Sequence, residues 1–163
     1  MEKLNQSKIT TNTPKITPFL WFNGNVAEAV NFYTTIFDNS EIINLSYMGE
    51  KVFMATFELE GQKFMALDGG PQYLFTPAIS FFVTCETQEE VDNYWYKLIA
   101  DGGSEGKCGW LKDKFGLSWQ IVPTALGRLM GDPDRVKAQS VMQAMLGMEK
   151  IDIKGLEDAY NQV

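Results

Sequence analysis

The sequence predicts an α+β fold of two paired βαβββ modules forming a curved mixed sheet, with helices after them, and three observations carry that prediction. A strand-like apolar run followed by a helix-capping pattern occurs twice at a fixed interval. A glycine-centred hairpin turn follows each. A composition that is 45% hydrophobic and 13% aromatic over 163 residues gives enough apolar surface for one packed domain over residues 15–163.

Residues 1–14, rich in Ser, Thr, Asn and Lys and closed by Pro14, read as a flexible leader. Ile16 to Phe22 is a short aromatic run closed by Asn23-Gly24, the pattern of a buried strand. Asn25 with Glu28 gives a capping-box-like helix start, and Ala29, Val30, Tyr33 and Phe37 recur at helical spacing. After Asp38-Asn39-Ser40 the period becomes that of strands: Ile42 to Tyr47, Val52 to Leu59 and, across the Glu60-Gly61 turn, Gln62 to Leu67. Asp68-Gly69-Gly70-Pro71 then ends a first module, about residues 15–70. These residues read as a turn and not a phosphate cradle, because an aromatic loop follows them instead of a helix.

The pattern restarts at Pro77. A shift of 62 pairs Phe19 with Phe81, Leu20 with Phe82, Asn25 with Thr87 and Glu28 with Glu90, and Thr87 to Glu90 is a full capping box. The second helix stops at Asp101-Gly102-Gly103, and a shorter hairpin runs from Cys108 to Asp113 and from Leu117 to Val122. Here a shift of 55 pairs Gly61 with Gly116 and Met65 with Gln120. The second module spans about residues 77–123. Lys112-Asp113-Lys114 reads as a solvated hairpin tip. Helices fill about 124–163: Asp132 caps with Pro133 at the first helical position, Met142, Met145 and Met148 give a packing side, and a last helix runs from about Asp152 to Tyr160.

Charge and residue types exclude several functions. A net charge of −7 disfavours nucleic acid and anionic membrane as partners, since both select basic faces. No apolar stretch suits export or membrane spanning, and Cys85 and Cys108 lack any CxxC spacing, so free thiols and a cytoplasmic location are expected, with Cys85 buried. There is no histidine. That removes the commonest general base, the commonest Zn or Fe ligand and every Ser-His or Cys-His nucleophile.

The segments PFLWFNGNVAEAVNFYTTIF, FMALDGGPQYLF, AISFFVTC, CGWLKDKFGLSWQIVP and MEKIDIKGLEDAY resemble the PhnB-like branch of the vicinal-oxygen-chelate superfamily from Ile16 to Tyr160. That superfamily includes glyoxalases, bleomycin-resistance proteins and dioxygenases, and this branch is often labelled demethylubiquinone methyltransferase-like. The resemblance implies a concave sheet face forming a pocket and, in active relatives, metal ligands drawn from the first and last strands of each module. By the repeat registration those positions fall at or near Ile16, Met65, Ala78 and Gln120, and a lone Gln carbonyl among them does not make a metal site. The methyltransferase label fits poorly, because the hairpin-rich pattern is not a Rossmann-like alternation.

Taken together, these readings predict a metal-free small-molecule binding protein, a homodimer with no cofactor. Its pocket is expected to be lined by Leu20, Phe22, Met65, Leu67, Ser80, Phe82, Ser118 and Gln120, with Ser80, Ser118 and Gln120 on one side of their strands. Trp21, Phe22 and Phe82 stand open between pocket lining and plain core, and Tyr94 and Trp95 read as packing. No catalytic residue is assigned. Two rivals remain: an enzyme using a misplaced carboxylate set such as Asp68 with Glu58, and an interaction protein with a vestigial pocket.

Overall fold

The computed structural model describes residues 15–163, so the leader read over 1–14 lies outside the described residues. Module one runs β1 (Phe19–Phe22), α1 (Val26–Ile36), β2 (Ser40–Met48), β3 (Lys51–Leu59) and β4 (Gln62–Asp68). Module two runs β5 (Ser80–Cys85), α2 (Gln88–Ile99), β6 (Ser104–Glu105), β7 (Trp110–Lys112) and β8 (Ser118–Pro123). Then come α3 (Thr124–Met130), α4 (Arg135–Gly147) and α5 (Ile153–Asn161), within the helical span expected over about 124–163, where α3 had no bounds of its own.

Each module makes its own four-stranded mixed sheet, ordered β1-β4-β3-β2 and β5-β8-β7-β6, with one parallel pair in each, β1 with β4 and β5 with β8. The βαβββ duplication is therefore present, but as two sheets and not one hydrogen-bonded curve. Gly61 and Gly116 sit at equivalent hairpin turns, with φ of +79° and +86° that only glycine adopts readily.

The two helices start 62 positions apart, as the repeat registration had it, but the strands before them do not. Strand pairing sets Leu20 against Val83 and Phe22 against Cys85, an offset of 63, because the link from strand to helix is one residue shorter in module two. Side chains alternate along a strand, so this single residue decides which face each one takes. Leu20, Phe22 and Ala66 face the core, as do Cys85, Trp119 and Ile121; Phe82, matched to Leu20 by the shift of 62, lies on the outer face and is 58% exposed.

The inner faces of both sheets share one apolar cluster with α1 and α2. Tyr33 of α1 lies 5.5 Å from Trp119 of β8, and Phe64 of β4 meets Phe81 of β5 edge to face at 5.0 Å, so the modules are joined through aromatic rings. Trp95 is fully buried and Tyr94 packs against the cluster. A second cluster, Leu126, Leu129, Val141, Ile151 and Leu156, holds α3, α4 and α5, with Met145 and Met148 packed on it. No helix among the described residues is long and apolar enough to cross a membrane.

Two helix starts differ from the reading. Thr87 and Glu90 form the predicted capping box, but Asn25, whose φ of −132° and ψ of 21° are not the extended geometry of Thr87, makes no side-chain cap, and Glu28 reaches away to Lys114 Nζ at 2.6 Å. Asp134, not Asp132, caps α4 by accepting from Val136 N and Lys137 N. Asp132 instead accepts from the amide of Asp134 and from Tyr160 Oη, which starts the helix two residues later.

Candidate functional site

Strand alternation divides the predicted pocket residues between two faces. Met65 pairs with Phe19 and Leu67 with Trp21, which places all four on the outer face of sheet one, whereas Leu20 and Phe22 point inward and are nearly fully buried. In sheet two, Ser80, Phe82, Ser118 and Gln120 share the outer face: Ser80 pairs with Ser118, Phe82 with Gln120, and Gln120 in turn with Trp110 of β7. Met65 and Gln120 are thus equivalent positions, as the repeat predicted.

Three hollows touch this set. One of about 300 Å³ lies beside Ser118, walled by Pro77, Trp110 and Lys112. A second, about 380 Å³ and apolar, holds Phe19, Leu20 and Trp21 against the loop from Leu74 to Ile79. The third, about 540 Å³ between the modules, includes Phe82 alone of the predicted residues. Of the predicted polar residues Ser118 lines the first hollow, and Ser80 and Gln120 lie beside it on the same sheet face. Gln120 Nε2 donates to Ser80 Oγ at 2.8 Å, while the hydroxyl of Ser118, only 1% exposed as a residue, is buried without a partner. An unpartnered buried hydroxyl is costly unless something hydrogen-bonds to it.

Asp113 is the residue that sequence reasoning placed wrongly. It is buried, at 3% exposure, and not a solvated tip, because four donors converge on it: the amides of Phe115 (2.9 Å) and Leu117 (3.0 Å), Trp119 Nε1 (2.9 Å) and Tyr33 Oη (2.8 Å). Burial pushes its carboxyl above the ordinary value against the pull of these donors, and burial with the nearby carboxylate holds the Tyr33 phenol well above its own. Tyr33 belongs to module one and Asp113 to module two, so this carboxylate ties the modules together. Lys114 lies over the rings of Phe32 and Phe115 at 5.0 and 5.2 Å, leaving only Lys112 exposed. No local signal marks Asp113, because an exposed turn Asp accepts equally well from the amides two and four residues on.

The donors do not suit a divalent metal at the positions that the resemblance implied. Ile16 is 86% exposed, Met65 and Ala78 offer no hard oxygen, and Gln120, whose Nε2 donates to Ser80, leaves a single carbonyl oxygen, too few for a divalent site. Among the described residues no three of His, Cys, Asp and Glu come together. Asp68 accepts from the amide of Gly24, and Glu58 faces Lys63 at the other end of β4. The Asp68-Gly69-Gly70 turn has a packing origin: Trp21 Nε1 donates to the Gly70 carbonyl at 2.8 Å, and the Trp21 ring fills the space where a Cβ at Gly69 would stand.

A family model described as 3-demethylubiquinone-9 3-methyltransferase matches residues 14–122. A solved structure from Bacillus cereus, named as a PhnB protein and a candidate 3-demethylubiquinone-9 3-methyltransferase, is 43% identical, with a TM-score of 0.64 over 68% of this chain and 100% of that one. Protein PA1353 from Pseudomonas aeruginosa is 21% identical, with a TM-score of 0.57 over 68% of this chain and 98% of that one. The fosfomycin resistance protein FosX from Listeria monocytogenes, solved with Mn(II) and sulfate, is 18% identical with a TM-score of 0.49, over 66% of this chain and 89% of that one. No curated protein matches the chain.

Proposed function

The chain belongs to the PhnB-like family of the vicinal-oxygen-chelate superfamily, and on that premise we propose that it is a metal-free small-molecule binding protein, acting as a cytoplasmic homodimer. The observation that carries this reading is the outer face of β5 and β8. There the partnerless Ser118 hydroxyl and the Gln120–Ser80 pair sit beside Trp110 and Phe82, an apolar surface with a few fixed polar groups. A ligand apolar on most sides and carrying one hydrogen-bonding group suits that arrangement. The methyltransferase description of the family finds no support in these sheets, which lack the repeated strand–helix alternation of a Rossmann-like cofactor domain.

The dimer reading rests on apolar exposure beside the same site. Phe19, Ile79 and Phe82 are 49%, 67% and 58% exposed, on or next to β1 and β5, which are both edge strands with unpaired backbone. A second copy covering that surface removes both liabilities.

Thermal denaturation with Zn²⁺ or Ni²⁺ tests the metal-free reading, with Gln120→Glu as the variant. Wild type and variant should both be unmoved, and the variant should lose stability as pH rises through its raised carboxyl pKa. A melting temperature that climbs with metal in wild type, or stoichiometric metal in the purified protein, overturns it. A monomer throughout the micromolar range in sedimentation overturns the dimer.

A further inference from the structure

The cavity of about 540 Å³ lies between the modules and shares only Phe82 with the outer-face site just proposed. Its wall is a chain of aromatic rings. Phe37 stacks on Tyr94 with centroids 5.1 Å apart and on Trp119 at 5.5 Å, Trp119 meets Phe81 at 5.5 Å, and Phe81 meets Phe64 at 5.0 Å. Two charged residues line it, Glu60 and Glu90, and no cation does. Glu60 stands on the β3–β4 turn, where φ is +47°, and one of its oxygens accepts from the amide of Asn39 at 3.1 Å. Glu90 uses one oxygen to cap α2. Among the described residues neither carboxylate forms an ion pair, although Lys107, Lys114, Lys150 and Lys154 each find an acidic partner elsewhere.

An aromatic wall facing unpaired carboxylates has a definite selectivity. The carboxylates attract a cation and repel an anion, and the rings, which stack largely on one another, offer an apolar wall to the body that carries the charge. The negative field reaches the wall itself: burial first, then Glu60, Asp38, Cys85 and Glu90, hold the Tyr94 phenol above its ordinary value. We propose that this cleft binds an organic cation, a quaternary or protonated amine carried on an apolar body, with the ammonium between the two carboxylates and the body against Phe37, Tyr94 and Trp119.

The test is titration calorimetry with benzyltrimethylammonium, benzyl alcohol and benzenesulfonate as probes at matched ionic strength. The cation should bind saturably at millimolar concentration or below, and the alcohol and the sulfonate much more weakly. In the double variant Glu60→Gln, Glu90→Gln the affinity for the cation should fall about tenfold or more. A Gln at the capping position retains the box, so α2 stays capped. Tyr94→Leu, which removes a ring without touching either carboxylate, should weaken the cation by a similar factor, and circular dichroism checks that each variant is folded. Ser118→Ala should leave cation binding unchanged, which separates this cleft from the outer-face site. Absent binding of the cation, equal binding of the alcohol, or an unchanged affinity in folded forms of both variants overturns the proposal.

Discussion

Module one closes its sheet with β2, β3 and β4 of nine, nine and seven residues, whereas their counterparts in module two, β6, β7 and β8, have two, three and six. The topology is the same and the ladder is much shorter. Two devices replace the missing pairs. Asp113 gathers the amides of its own turn together with Trp119 and Tyr33, doing with one buried carboxylate what the β3–β4 turn does with a long ladder on either side. The segment after α4 supplies the rest: Cys108 N donates to the Met148 carbonyl at 2.8 Å and Gly109 N to that of Glu149 at 2.7 Å, while Ile121 N donates to the Gly109 carbonyl. A duplicated unit can therefore lose strand length and keep its fold, provided that its backbone groups find partners elsewhere.

Perturbing comparable features of the two modules sharpens or breaks this comparison. The largest effect is expected at Asp113→Ala, which leaves four donors unanswered in the interior. It should lower the free energy of unfolding by about 3–5 kcal/mol in urea titrations, against less than about 0.5 kcal/mol for Glu60→Ala on the exposed module-one turn. Equal losses at the two turns would refute the contrast. Glycine substitutions rank next. Gly109 has φ of +83° and an added Cβ would stand 2.8 Å from the Ile121 carbonyl oxygen, so Gly109→Ala should cost about 3 kcal/mol. Gly61→Ala, strained at φ +79° but with open space around it, should cost about 1 kcal/mol.

The caps differ more gently. Thr87→Ala breaks a capping box and should cost about 1 kcal/mol, measured by thermal melts. Asn25→Ala should be neutral or slightly stabilising, because the Asn25 side chain caps nothing and its Oδ1 is buried without a partner. The smallest effect vanishes at neutral pH. Cys85 takes the place that Phe22 holds in module one, and burial, then Glu90 and Glu86, push its thiol up to about 12. The unfolded thiol ionises first as pH rises, so this group's stabilising share is complete below the ordinary thiol value and is lost as pH climbs toward 12. Urea midpoints at pH 8 and pH 10 should therefore fall further in wild type than in Cys85→Ala. Parallel slopes would show that Cys85 is not the source.

The repeat was legible in the sequence because its punctuation is local. Capping residues and hairpin glycines act within four residues of themselves, and α1, α2, Gly61 and Gly116 were located from them. The strand faces were not, since a one-residue difference in the link after β1 leaves the apolar content of Phe19 to Phe22 and Ser80 to Cys85 unchanged while it inverts which side chains point inward. For the candidate site the consequence was concrete: Ser80, Phe82, Ser118 and Gln120 fall together, while Leu20 and Phe22 fall on the other side of their sheet. Asp113 escaped notice between two lysines because nothing local tells a turn carboxylate that solvent covers from one that Tyr33, eighty positions earlier, reaches across to meet. Glu28 was misassigned for the same reason, its partner being the distant Lys114.

The hydrogen bonds from Cys108 and Gly109 to Met148 and Glu149 also set an order of events during synthesis. A chain emerging from the ribosome has every strand of module one in hand once Asp68 is out. Module two has all its strands by Pro123 but must wait some twenty-five residues more for the carbonyls that satisfy its β6–β7 turn. During that interval the amides of Cys108 and Gly109 have only water, or a neighbouring nascent chain, to bond. These two amides are thus open to mispairing until Met148 and Glu149 have emerged.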